Sequence, residues 1–271
     1  MFRQASEFTG FHKKLGVLIE PYLNERWTMA DIGCGMALLD FQLMNNVRSI
    51  KAIDIDRSAL DEVERRIDEE LSANHNDARK IETLQKDAYE LTNERWDVVL
   101  MSFFADSPEM VDRMLSRADH RGIIVMHGHE RGGIFDPRRS DSPRMTVLEM
   151  EDYLMSKGYG YRKSVVDLQF GQPFRAIGEI HEFLGDKVGS GREADIIEGI
   201  GNDIPGEYDE LAAPDESAAA GGPGASGVGV FDIDNFAYSA EERIIKTKRY
   251  DYPYYLPRNL HTALFIVMTR R

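Results

Sequence analysis

The stretch "MADIGCGMALLD", residues Met29 to Asp40, decides how the rest of the chain is read. An apolar run ends in Asp31, and Gly33 and Gly35 follow at alternate positions before a second apolar run. Glycines at such a corner let the backbone turn tightly and come close to a ligand. Upstream, "RWTMADI" reads as a short strand; downstream, a helix is expected from near Met36. The same rhythm continues outward. "SIKAID" reads as a second strand. "RSALDEVERRIDEELSAN" reads as a helix with Leu60, Val63, Ile67 and Leu71 on one face and Ser58 as its cap. "IETLQK" and "WDVVLMSFF" are expected third and fourth strands, and "RGIIVMHG" a fifth. Between and after them come helices in "SPEMVDRMLSRA", capped by Ser107 with Pro108 at its first position, and "TVLEMEDYLMSKG", ended by Gly158. Strands alternating with helices imply a parallel sheet covered on both faces.

Beyond Gly158 the rhythm changes. "YRKSVVDLQF" and "HTALFIVMTRR" are strand-like, with a short amphipathic piece, "AIGEIHEFL", after the first. Toward the other end, "SEFTGFHKKLGVLIEPYL" reads as one amphipathic helix that turns Phe8, Phe11, Leu15 and Leu18 or Ile19 inward. His12 and Lys13 are expected at its surface.

Composition bounds the class. The chain has 271 residues, 42% hydrophobic and 10% aromatic, which suits a globular protein with a sizeable core rather than a disordered one. We expect a single domain over 1–271, with a helical segment over 1–26 and an inserted loop or lid over 185–235. The formal charge is −14, and 185–235 alone carries −10 and 11 of the 23 glycines. Acidity therefore belongs to one segment and argues only weakly against an anionic partner. No apolar run approaches the roughly 18–20 residues of a membrane span, and "MFRQASEFTGFHKK" lacks the apolar stretch of a secretory signal. Cys34 is the sole cysteine, in keeping with a reducing compartment. These features lead us to expect a cytoplasmic protein without a membrane partner.

Two kinds of nucleotide site use a glycine corner. A nicotinamide-binding turn reads G-x-G-x-x-G/A, and counting from Gly33 its sixth position is Leu38, which breaks that pattern. With the acid included, the stretch resembles motif I of the class I S-adenosylmethionine-dependent methyltransferases, D/E-x-G-x-G-x-G. Asp31, Gly33 and Gly35 match, while Ala37 stands where the third glycine would be. Asp54 ends the second strand nineteen residues after Gly35, where the resembling family has an acid that accepts both ribose hydroxyls. Ile55 follows and would pack on the adenine face. Asp87 and Ala88, after the third strand, resemble the family's pair at the adenine edge, and Ser102 ends the fourth strand beside the methyl group. The resemblance implies a Rossmann-like three-layer α/β sandwich, a mostly parallel seven-stranded sheet with a C-terminal antiparallel hairpin. It also implies S-adenosyl-L-methionine as cofactor, held by Asp31, Gly33, Cys34, Gly35, Asp54, Ile55, Asp87, Ala88 and Ser102.

Other residues carry a sharp and a bland reading. His127, His129 and Glu130 lie where the fifth strand ends and are candidates for a general base; pairing with other side chains behind the site, or solvent exposure, is the alternative. Arg131, Arg138, Arg139 and Arg144 suit an anionic substrate group, or a solvated loop. Tyr250, Tyr252, Tyr254 and Tyr255 suit a pocket wall, or plain packing. Cys34 reads better as a small residue in a tight turn than as a nucleophile. No acid or histidine spacing points to a metal.

The fourth strand ends "SFFAD" rather than the N/D-P-P-Y/F of amino-methylating enzymes, and no long basic tract is present. The expected function is methyl transfer to a small-molecule acceptor, with nucleic acid disfavoured. A methyltransferase of RNA or another macromolecule, and a non-catalytic cofactor-binding protein, stand as alternatives.

Overall fold

In the computed structural model, the described residues are 2–105, 107–128, 145–185, 245–247 and 249–269. The chain divides into two compact units, Met1–Phe170 with Asn259–Arg271, and Gly171–Arg258. Among the described residues no helix is long and apolar enough to cross a membrane.

The apolar runs of the larger unit become strands β1 (Thr28–Ile32), β2 (Ser49–Asp54), β3 (Ile81–Gln85), β4 (Trp96–Ser102) and β5 (Ala118–His127). β6 (Gly160–Gln169) and β10 (Asn259–Met268) complete a seven-stranded sheet in the order β3-β2-β1-β4-β5-β10-β6. β1 to β5 pair in parallel, whereas β10 runs antiparallel to both β5 and β6. The last two form the expected closing hairpin, in register from Asn259 opposite Gln169 to Met268 opposite Gly160. Alternate residues go to opposite faces, as the pleat requires. Met29, Val98, Leu100, Ile123 and Val125 join one buried cluster, and Ala30, Ile32, Val99, Met101 and Ile124 the other. Two buried faces explain why these strands read as unbroken apolar runs.

Helices cover both faces: α1 (Phe2–Thr9), α2 (Phe11–Ile19), α3 (Asp40–Leu43), α4 (Arg57–Ser72), α5 (Pro108–Leu115) and α6 (Val147–Ser156). Phe11, Leu15 and Ile19 are buried as expected, but the N-terminal helix is two helices, because Gly10 takes a left-handed φ of 64° between them. α4 buries Leu60 and Val63, with Ile67 and Leu71 packed alongside. Its cap is Asp56 rather than Ser58; the Asp56 carboxylate accepts from the Ser58 amide. Ser107 caps α5 by accepting from the Met110 amide, and Gly158, at φ 70°, follows the end of α6.

The helix expected from Met36 does not form there. Gly33, Gly35 and Ala37 all have positive φ (69°, 52° and 51°), so residues 33–39 are a chain of turns and α3 begins only at Asp40. Ala37 is buried and yet left-handed. Relief of about 1–2 kcal/mol of backbone strain offsets the lost methyl burial and the added chain entropy of glycine. Ala37→Gly is therefore expected to be neutral within about 0.5 kcal/mol, whereas Ala52→Gly, buried in ordinary strand backbone, should lose about 1 kcal/mol or more. Urea midpoints of the two variants check this.

The smaller unit carries β7 (Gln172–Phe174), α7 (Ile177–Gly185), β8 (Ile245–Lys246) and β9 (Tyr254–Leu256), with an antiparallel sheet in the order β7-β9-β8. Phe174 and Phe183 meet edge to face at 5.3 Å. Of the 185–235 stretch, only Gly185 lies within the described residues.

Candidate functional site

The strand order reverses between β2-β1 and β4-β5, so the connections after β1 and β4 leave in opposite directions. At such a switch point, beyond the carboxyl ends of the strands, α/β sheets hold their ligands. Asp31 lies near the end of β1, and Gly33, Cys34 and Gly35 follow it; Asp54 ends β2 and Ile55 follows; Asp87 and Ala88 follow β3; Ser102 ends β4. The register Ile32 to Ile53 brings the first two groups together. Gly33 and Cys34 both donate their amides to the Ile53 carbonyl, at 2.8 and 3.0 Å.

Asp54 ties the turn to β2. Its Oδ2 accepts from the Gly35 amide at 2.8 Å and its Oδ1 from the Asp56 amide at 2.9 Å. A Cβ on Gly35 would meet nothing within 4 Å, so the turn is open there. At Gly33 the opposite holds: a Cβ would lie 2.0 Å from Cδ2 of the Phe104 ring. Phe104 follows Phe103, itself left-handed at φ 56°. Ile55 is 65% exposed, an apolar side chain held out beside Asp54. Asp87 caps a single helical turn, its Oδ1 accepting from the Tyr89 amide at 2.8 Å, with Ala88 buried beneath.

Asp31 is buried next to Asp40, and burial raises both carboxyls above their ordinary range. Asp31 reaches about 7, because burial outweighs the help that the Asp40 carboxyl gives its ionised form, and the Asp54 charge adds to the rise. Asp40 lies higher, lifted by burial and then by the Asp31 charge. Burial, reinforced by Asp31, Asp40 and Asp54, also pushes the Cys34 thiol up, so it is not a thiolate nucleophile.

His127 sits half-buried at the end of β5 with its ring 4.7 Å from Phe103. His129, Glu130, Arg131, Arg138, Arg139 and Arg144 lie outside the described residues. In the smaller unit, Tyr252 takes the Arg175 guanidinium over its ring at 5.4 Å, and Tyr255 is buried in β9; these are packing roles.

His12 corrects its expected surface position. It is buried among Phe2, Phe11 and Phe170, with Ser6 Oγ 2.6 Å from Nδ1. Burial first, then Arg66, lowers its pKa to about 4. Its hydrophobic spacing gave no warning, because a histidine one step from Phe11 lies at the edge of the apolar stripe. The pair His261 and Asp167, 2.5 Å apart on β10 and β6, is also new. A residue in the last strand and one in β6, some ninety positions earlier, carry no shared sequence signal.

No family model and no curated protein sequence matches the chain. Among solved structures it is similar to the YcgJ protein of Bacillus subtilis, with 13% identity and a TM-score of 0.55 over 96% of this chain and 99% of that one. It is similar over the same shares to a candidate methyltransferase of Bacillus halodurans C-125, at 11% identity and a TM-score of 0.54. The chain has the Rossmann-like methyltransferase fold. At these identities the likeness is one of fold, and the methyltransferase fold is what the acid–glycine turn of β1 led us to expect. In it, the described candidate residues share one edge of the sheet, on either side of the switch point.

Proposed function

We propose that the protein is an S-adenosylmethionine-dependent methyltransferase acting on a small-molecule acceptor. The observation that carries this is the Asp54 carboxylate bonded to the Gly35 amide beneath an open turn at the switch point. An acid, a glycine with a clear outer face and an exposed isoleucine meet there, which suits a nucleoside with an amino-acid tail. Asp54 would accept the ribose hydroxyls, Ile55 would cover the adenine, Asp87 and Ala88 would meet the adenine edge, and Asp31 would take the amino group. When bound, S-adenosylmethionine supplies a methyl group already activated on a sulfonium.

What the chain itself must do is position the acceptor and exclude water, and alignment alone supplies much of the rate. A base is needed only for an acceptor that keeps its proton at working pH. His127, at the end of β5 against Phe103, is the described candidate for it; His129 and Glu130, the other candidates, lie outside the described residues.

The test is thermal stability against titrated S-adenosylmethionine, S-adenosylhomocysteine and NADH. A ligand at about a hundred times its Kd adds roughly 2.7 kcal/mol of stability. Stabilisation by the two sulfur ligands and none by NADH is expected, and the reverse pattern would overturn the reading. Asp54→Asn should weaken S-adenosylhomocysteine binding about 10- to 100-fold, the worth of hydrogen bonds to a charged acceptor.

A further inference from the structure

One buried acid has no part in the function proposed above. Asp40 opens α3 and is 0% exposed; Asp31, one residue before the end of β1, is 1% exposed. Apart from each other, Asp31 Oδ1 and the two Asp40 oxygens have no hydrogen-bond partner among the described residues. Two ionised carboxylates cannot share such a place, and a hydrogen bond between them exists only while one keeps its proton. The ionisable groups facing the pair are Asp54, which is acidic, and the Cys34 thiol; no cation offsets them among the described residues. A buried carboxylate oxygen without a partner is costly unless something else comes to fill it.

We propose that Asp40, keeping its proton, is a positioning residue that aligns Asp31 to receive a primary ammonium group, and that this ammonium displaces a second proton from the pair. The ligand-free pair carries two protons in mildly acidic solution. Asp40 then donates to Asp31, the ammonium donates to the freed Asp31 oxygen, and the displaced proton passes to solvent. The inference rests on the methyltransferase reading, in which the ammonium belongs to the amino-acid end of the cofactor.

Titration calorimetry with S-adenosylhomocysteine tests it, since this ligand has the ammonium and no methyl group to transfer. From about pH 5.5 to about pH 7, below the range where an α-amino group titrates, Kd should tighten about tenfold per pH unit, with about one proton released at the acid end. 5′-Methylthioadenosine, which lacks the amino-acid tail, should bind with a flat profile. Asp40→Asn retains a donor to Asp31 and should stay within about threefold of the parent, while Asp40→Leu should weaken S-adenosylhomocysteine about tenfold or more. A flat S-adenosylhomocysteine profile, or equal slopes for the two ligands, overturns this proposal and leaves the methyltransferase reading standing. Failure of the folded protein to bind S-adenosylhomocysteine at any pH overturns both.

Discussion

Gly33→Ala is expected to destabilise the protein by about 3 kcal/mol. Two costs add. The residue sits at φ 69°, where a side chain is strained whatever the space around it, a penalty of about 1–2 kcal/mol. Its new Cβ would also stand 2.0 Å from Phe104 Cδ2 and 2.5 Å from Cγ. A planar ring cannot bend away, so Phe104 must leave its place, at the roughly 1–3 kcal/mol typical of overpacking. Urea unfolding should show a lower midpoint with an unchanged slope. Combining Gly33→Ala with Phe104→Ala should return the clash but not the backbone strain, giving a coupling energy of about 1–2 kcal/mol. A single variant within about 0.5 kcal/mol of the parent would mean that the ring moves freely and the close packing is immaterial.

Acid should cost the protein stability through His12. In the unfolded chain its imidazole titrates near 6.5, and in the folded protein burial holds it down to about 4. Between those values the unfolded state binds a proton that the native state refuses, so stability falls as the pH drops through that window. The slope is about 1.4 kcal/mol per pH unit, and the whole loss about 3 kcal/mol. Below about pH 4 the contribution levels off, and above 6.5 it vanishes. His12→Phe places another ring beside Phe2, Phe11 and Phe170 and removes the titrating group. The variant should keep the parent's stability near neutral pH within about 1 kcal/mol and lose that part of the acid slope. Parallel slopes for the two proteins would show that His12 is not protonated on unfolding in this window. Asp31 and Asp40 act in the opposite sense. Their folded values are raised, so they reduce stability as pH rises, and Asp31 does so up to about 7.

Much of the architecture could be read in advance because its signals are local. β1, β4 and β5 were legible as apolar runs, since a strand buried on both faces needs no polar alternation. Ser107 and Gly158 carried the stereochemistry of a helix start and stop in their own side chains, or lack of one. Asp54 was legible by its spacing after Gly35. Ser58 misled because Asp56, two residues earlier, takes the cap position and accepts from both the Ser58 amide and its hydroxyl, which leaves Ser58 inside the helix. The helix from Met36 misled because an apolar pattern does not report φ, and Ala37 gives no hint that it adopts a left-handed turn.

By itself the sequence determined the succession of strands and helices, the acid–glycine turn after β1 and the acids that end β2 and follow β3. Each rests on contacts within a few residues along the chain. Only the tertiary structure decided that β10 lies between β5 and β6, that Asp40 comes under Asp31, that Phe104 packs on Gly33 and that Phe170 closes over His12. Those pairs join residues far apart in the chain or turned together by irregular backbone. Their energy comes from the burial that follows folding, and no periodicity records it.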